Sequence, residues 1–163
     1  MPQTVNRVIV RAPCERVFAV AEDKAGFPRF MPHVLESVEV RDGPRISYRM
    51  AARMRLGFVS RWVSERIEAE PGRWASYRTT GFCRRMEGRW TAEELEPDAE
   101  GTLQTRLTLT HDFDVGHPIL SRLLPLERWV AACVLDNSQR MLESIRDHVE
   151  SGAGPARKEA CHA

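Results

Sequence analysis

The chain has 163 residues, enough for one domain with a sizeable core. Hydrophobic residues make up 42% and charged residues 29%, an ordinary soluble balance. A formal net charge of +1 supplies no broad field for nucleic acid or an anionic membrane. All but two of the 24 basic residues are arginine, the exceptions being Lys24 and Lys158. The N-terminus lacks the apolar core of a signal peptide, and no apolar run reaches the ~18 residues of a spanning helix. Cys14, Cys83, Cys133 and Cys161 are far apart and form no paired motif, so neither a disulfide framework nor a zinc site is expected. A reduced, cytoplasmic setting is the expectation.

Val5 to Val10 reads as a short strand, Val5, Val8 and Val10 with polar residues between them, ended by Ala12-Pro13. Pro13 suits the first turn of a helix, and Glu15 to Ala21 follows with Val17, Phe18 and Val20 on its buried side. A short helical piece, Ala25 to Phe30, is bracketed by Gly26, Pro28 and Pro32. Its Phe27 and Phe30, with Met31, form an apolar cluster of the kind that makes the lip of a pocket.

From residue 34 to 113 the pattern is strands with turns between them. Val34 to Arg41 ends at Asp42-Gly43-Pro44. Ile46, Tyr48, Met50, Ala52 and Met54 alternate with more polar residues, as in a half-buried strand. Gly57 to Arg66, Trp74 to Thr80 and Arg84 to Glu94 follow, and Thr102 to Phe113 is the longest strand. His117-Pro118 opens the last element, with a first turn over Leu120 to Leu124 that Pro125 interrupts. Leu126 to Glu150 is then a long helix whose stripe is Val130, Val134, Asn137, Met141, Ile145 and His148 or Val149. Residues 1–150 thus read as one domain and 151–163 as a disordered tail.

This order predicts an α+β fold, a curved antiparallel sheet wrapped around a long C-terminal helix with an internal cavity. The cavity is where function is expected. On the strand ending at Arg66, alternation puts Ser60, Trp62, Ser64 and Arg66 on one face. If that face looks inward, Arg66 needs a partner, such as a ligand oxygen or enolate. If Trp62 packs outside, Arg66 sits at a solvated strand end. His111 shares the apolar face of its strand with Leu107, Leu109 and Phe113. It could move a proton near neutral pH or be a hydrogen-bonded core histidine. Asn137 suits either a ligand or a sheet carbonyl. Tyr48, Met50, Met54, Tyr77, Phe82, Met86, Trp90 and Cys133 are candidate lining for a flat apolar guest. His111 and Asp112 point to opposite faces, so the His111 to His117 run is not read as a metal site. No cofactor motif is present.

Val8-Ile9-Val10-Arg11-Ala12-Pro13, Phe27-Pro28, Trp62-Val63-Ser64-Glu65-Arg66 and Leu109-Thr110-His111-Asp112-Phe113 resemble the polyketide cyclase/dehydrase branch of the START-like, helix-grip superfamily. Within it the chain looks most like single-domain aromatase/cyclases of type II polyketide synthases. The resemblance implies a cavity that receives a poly-β-ketone from an acyl carrier protein and catalyses aldol cyclisation and dehydration to an aromatic ring. It implies Arg66 as the group binding a ketone oxygen and its enolate, and His111 as acid, base or water-orienting group. Ser64 is placed beside them as a catalytic group. Substrate contacts are expected from Trp62, Phe27, Phe30, Met50, Tyr77, Met86, Trp90, Phe113, Asn137 and Met141. Met141 and Val34 stand where some members carry an aspartate and a tyrosine. The same superfamily contains quinone- and lipid-binding proteins, so carriage of an apolar guest without chemistry is the alternative. The resemblance does not specify monomer or homodimer.

Overall fold

The computed structural model describes residues 2–81, 83–116 and 125–154. β1 (Gln3–Val10) buries Thr4, Asn6, Val8 and Val10. Once Val8 and Val10 face inward, the period of two turns Val5 and Ile9 outward, where they are 39% and 50% exposed. Val5 therefore belongs to the outer face with Ile9. The inner face is completed by Thr4 and Asn6, whose burial is made tolerable in part by contacts with the long helix. The Asn6 side-chain amide donates to the Leu135 carbonyl and to Gln139 Oε1, both at 3.1 Å.

α1 (Cys14–Glu22) starts directly after Pro13 and buries Val17, Phe18, Val20 and Ala21. A 3-10 helix (Lys24–Arg29) follows, shaped by Gly26 and Pro28. It has the length expected of Ala25 to Phe30 but is shifted one residue toward the N-terminus, so that it begins with Lys24. Six strands then run as an antiparallel meander: β2 (Val34–Asp42), β3 (Arg45–Arg53), β4 (Val59–Glu70), β5 (Trp74–Thr80), β6 (Arg85–Leu95) and β7 (Gln104–Asp114). The β2–β3 hairpin turns on Gly43, whose φ of 58° suits glycine. The sheet order is β1-β7-β6-β5-β4-β3-β2, all neighbours antiparallel. Irregular register in β2 between Val34 and Glu36, and in β4 between Arg66 and Glu68, adds local twist to the sheet.

α2 (Leu126–Glu150) lies in the concavity and packs on β1, β7 and α1. Its buried stripe is Val130, Val134, Ser138, Met141, Leu142, Ile145 and Val149. Ser138 takes the place expected of Asn137 at the centre of the stripe. Of the two C-terminal alternatives Val149 is buried, while His148 stacks its ring on Phe30 at 4.0 Å. This is a START-like helix-grip fold. The opening of the last element at His117-Pro118, the turn at Leu120 to Leu124 and most of the expected tail, 155–163, lie outside the described residues. No described helix is long and apolar enough to cross a membrane.

Candidate active site

Between α2 and the middle of the sheet lies a cavity with about 640 Å³ of empty space, including the part open to solvent. Alternation along each strand decides what faces it. β4 turns Ser60, Trp62 and Ser64 inward, and β5 turns Tyr77 and Thr79. β6 contributes Met86, Gly88 and Trp90, and β7 contributes Leu109 and His111. α2 closes the other side with Val134, Asn137, Ser138 and Met141. Met50 and Met54 from the region of β3, and Lys24 from the 3-10 helix, complete the wall.

His111 is placed by its cross-strand neighbour. It pairs with Gly88, and a Cβ at residue 88 would stand 3.1 Å from the imidazole Cδ2 and 3.2 Å from Nε2. The absent side chain is what lets the ring lie over β6. On its other side, Nδ1 is 3.4 Å from Ser138 Oγ. Burial, and secondly the positive charge of Lys24, lower the His111 pKa to about 4. The imidazole is therefore neutral at physiological pH. Burial also pushes the Tyr77 phenol upward, reinforced by Tyr48, so it remains a hydroxyl donor. Asn137 donates weakly to Met141 Sδ at 3.5 Å, while its buried Oδ1 has no hydrogen-bond partner among the described residues.

Arg66 is not where the inward-facing reading put it. It follows Ser64 on the same face, yet its Nη2 is 2.7 Å from Glu22 Oε1 and it does not line the cavity. The reason is α1, whose last residue reaches over the end of β4 and neutralises the guanidinium there. Phe27, Phe30 and Phe113 are likewise set back from the cavity wall. Phe27 and Phe113 are fully buried, Phe27 in the main core and Phe113 against Met86, Val130 and Val134. Phe30 packs edge-on to Phe27 and is covered by His148. Tyr48 packs against Tyr77, Cys133 is away from the wall, and Phe82 lies outside the described residues. Trp62, Ser64, Met50, Tyr77, Met86, Trp90, His111, Asn137 and Met141 share the one cavity.

Sequence reasoning missed Lys24. The signal was available: one lysine at residue 24 in a chain that otherwise uses arginine up to residue 157. It is 3% exposed, and its Nζ lies 4.1 Å from the Tyr77 ring centroid, 4.6 Å from Trp90 and 5.5 Å from Phe27. Burial lowers its pKa to about 7, with Glu22 opposing and Arg66 adding to the shift.

A curved seven-stranded sheet gripping one long helix, with a cavity of mixed apolar and polar lining between them, defines a helix-grip protein. Residues 1–150 match the family described as "Polyketide cyclase / dehydrase and lipid transport", and the chain belongs to that family. Among solved structures, a Thermus thermophilus protein is 26% identical over 94% of this chain and 100% of its own, with a TM-score of 0.74. The Zhui aromatase/cyclase from a Streptomyces species shares the fold at 24% identity, over 94% of this chain and 98% of its own, with a TM-score of 0.74. A START superfamily protein from Mycobacterium smegmatis does so at 16% identity, over 93% of this chain and 99% of its own, with a TM-score of 0.72. Among curated proteins there is no significant match.

Proposed function

We propose that the protein is an aromatase/cyclase that encloses a poly-β-ketone in this cavity and catalyses its aldol cyclisation and dehydration. The observation that carries the reading is a neutral imidazole, His111, facing an enclosed wall of methionine and aromatic side chains beside the Ser64 and Tyr77 hydroxyls. A methylene between two ketones is acidic enough for a weak base such as this one. In the first step His111 takes that proton and the substrate becomes an enolate. Ser64 and Tyr77 donate hydrogen bonds to the enolate oxygen. The enolate carbon then bonds to a ketone carbon across the cavity, and the resulting alkoxide takes the proton back from the imidazolium. Loss of a neighbouring proton together with the new hydroxyl releases water and leaves the double bond, and enolisation of the remaining ketones completes the aromatic ring. Trp62, Trp90 and Met141 shape the folded chain and exclude water. The enolate-binding role expected of Arg66 would require its pair with Glu22 to open. An acyl carrier protein is the expected donor of the substrate.

Co-expression with a minimal polyketide synthase tests this. Wild type should shift the products toward one ring pattern, and His111→Leu should return them to the pattern obtained without the protein. Identical products from wild type and His111→Leu would sink the reading.

The carrier reading is favoured by one observation, the four methionines Met50, Met54, Met86 and Met141 on the wall, which adapt to many apolar shapes. A lipid or quinone co-purifying in native mass spectrometry would support it, and a clean apo mass would count against it.

A further inference from the structure

Among the described residues, no carboxylate forms an ion pair with the Lys24 ammonium in the cavity wall. The titratable groups among the described residues that act on or lie beside Lys24 are Glu22 on α1, Arg66 on β4, Tyr77 on β5 and His111 on β7, while Trp90 of β6 presents its indole. Glu22 is the one carboxylate acting strongly on the ammonium, and it is already committed to Arg66 at 2.7 Å. That pair is close to neutral as a unit. Tyr77 and His111 are uncharged at physiological pH. The close contacts of this buried ammonium among the described residues are therefore ring faces. Burying a charge this way is expensive unless something completes its pairing. The residue type is informative too, because lysine can hold or lose its proton in such a place and arginine cannot.

We propose that Lys24 is an anion-recognition site at the aromatic end of the cavity, and that the natural guest is an apolar, ring-forming molecule carrying an acidic oxygen that seats against it. The oxygen is a carboxylate or the enolate of a β-diketone. Tyr77 and Trp90 flank the ammonium, so the guest approaches with its flat part along the rings and its anionic oxygen at Nζ. This proposal rests on the cavity being the ligand site, but it holds whether the guest is transformed or only carried.

The test uses probe pairs that differ in charge and share their apolar part. Wild type should bind anilinonaphthalene sulfonate about tenfold to a hundredfold more tightly than neutral N-phenylnaphthylamine near pH 6. The preference should fall as the pH is raised past about 7, because the ammonium then loses its proton. In Lys24→Met the preference should collapse to about unity, while the neutral probe binds as in wild type and so reports an intact cavity. Laurate against methyl laurate, and benzoylacetone against its enol methyl ether, then tell a carboxylate guest from an enolate guest. A second readout needs no variant. With isotope-labelled lysine only Lys24 and Lys158 give signals, and the Lys24 titration midpoint should rise when the sulfonate binds. An unchanged preference in Lys24→Met, or a Lys24 midpoint that ignores the anion, overturns the proposal. If the preference collapses but Lys24→Met and His111→Leu both leave the ring pattern of the polyketide synthase products unchanged, the anion site stands and the cyclase reading fails.

Discussion

The two halves of the sheet use the same curvature for different ends. On the β1–β7 side, Val8, Val10 and Leu107 meet Leu142, Ile145 and Val149, all buried, and the helix closes on the sheet. On the β3–β5 side the inward residues are Met50, Trp62, Ser64, Tyr77 and Thr79, and space remains between them and the helix. Short branched aliphatic side chains interlock and fill volume at low entropy cost. Hydroxyls, methionines and large rings do not interlock in that way, and several of them keep polar atoms that need partners. A helix-grip cavity can thus be read as a change of side-chain chemistry along one sheet rather than a change of backbone.

Truncation should separate the halves most strongly. Leu107→Ala removes a fully buried side chain from the interlocked half, so unfolding free energy should fall by about 2–5 kcal/mol. Met50→Ala enlarges a space that already exists, and its cost should be no more than about half as large. Urea denaturation of the two variants measures both. Equal losses would mean that the cavity half is packed as tightly as the other.

Much of this contrast was legible in the residues. The strand order, the unbroken helix from Leu126 to Glu150 and the inward set Ser60, Trp62 and Ser64 follow from periods of two and 3.6. What alternation could not give was occupancy. It placed Arg66 on the cavity face, but it carries no information on α1, which returns across the sheet and brings Glu22 to that guanidinium. Lys24 escaped for the related reason that it sits in a 3-10 turn, where no period assigns a face. Phe27, Phe30 and Phe113 were apolar in the right places, yet core and lining look alike in sequence because both are inward. Ser138 and Asn137 are adjacent on α2, and only the tilt of the helix decides which one is central.

Acid should load the cavity half selectively. His111 has a folded pKa near 4 against an ordinary value of 6.5, so the unfolded chain takes up its proton first as pH falls. Stability from this group is fully present above about 6.5 and is lost as pH drops toward 4. The loss is at most about 3 kcal/mol. His33, buried just before β2 and also lowered to about 4, adds a loss in the same window. Lys24 acts at the other end of the scale. Its folded pKa lies below its unfolded one, so stability should rise with pH between about 7 and 10.5. Chemical denaturation across pH, with His111→Leu and Lys24→Met each flattening its own window, resolves the contributions. A wild-type profile flat from pH 6.5 to 4 would contradict the buried neutral imidazoles.

Gly88→Ala probes the seam between the halves. The new methyl would stand 3.1–3.2 Å from the His111 ring and force it to shift. Overpacking of that kind costs about 1–3 kcal/mol, partly offset by the gain from removing a strand glycine. The net stability loss should be about 1 kcal/mol. Cyclisation should suffer more than stability does, since the displaced group is the proposed base. A variant as active and as stable as wild type would mean that the ring has room to spare.

The smallest stability effect is expected at Arg66, although the resemblance gave that residue the largest role. Its ion pair with Glu22 is about 30% exposed on both sides, where such pairs contribute no more than about 1 kcal/mol. Arg66→Gln should therefore barely move the denaturation midpoint. It would, however, release the Glu22 carboxylate, which already acts on the Lys24 ammonium. An internal counter-ion would then satisfy the lysine, and the preference for the sulfonate probe should weaken while the neutral probe binds unchanged. In this account Arg66 serves the cavity from outside it, by keeping Glu22 occupied so that Lys24 stays available. If Arg66→Gln instead leaves the sulfonate preference intact and abolishes the polyketide ring pattern, Arg66 must leave Glu22 and enter the cavity during the reaction, and the division between a neutralised edge and a charged interior would have to be redrawn.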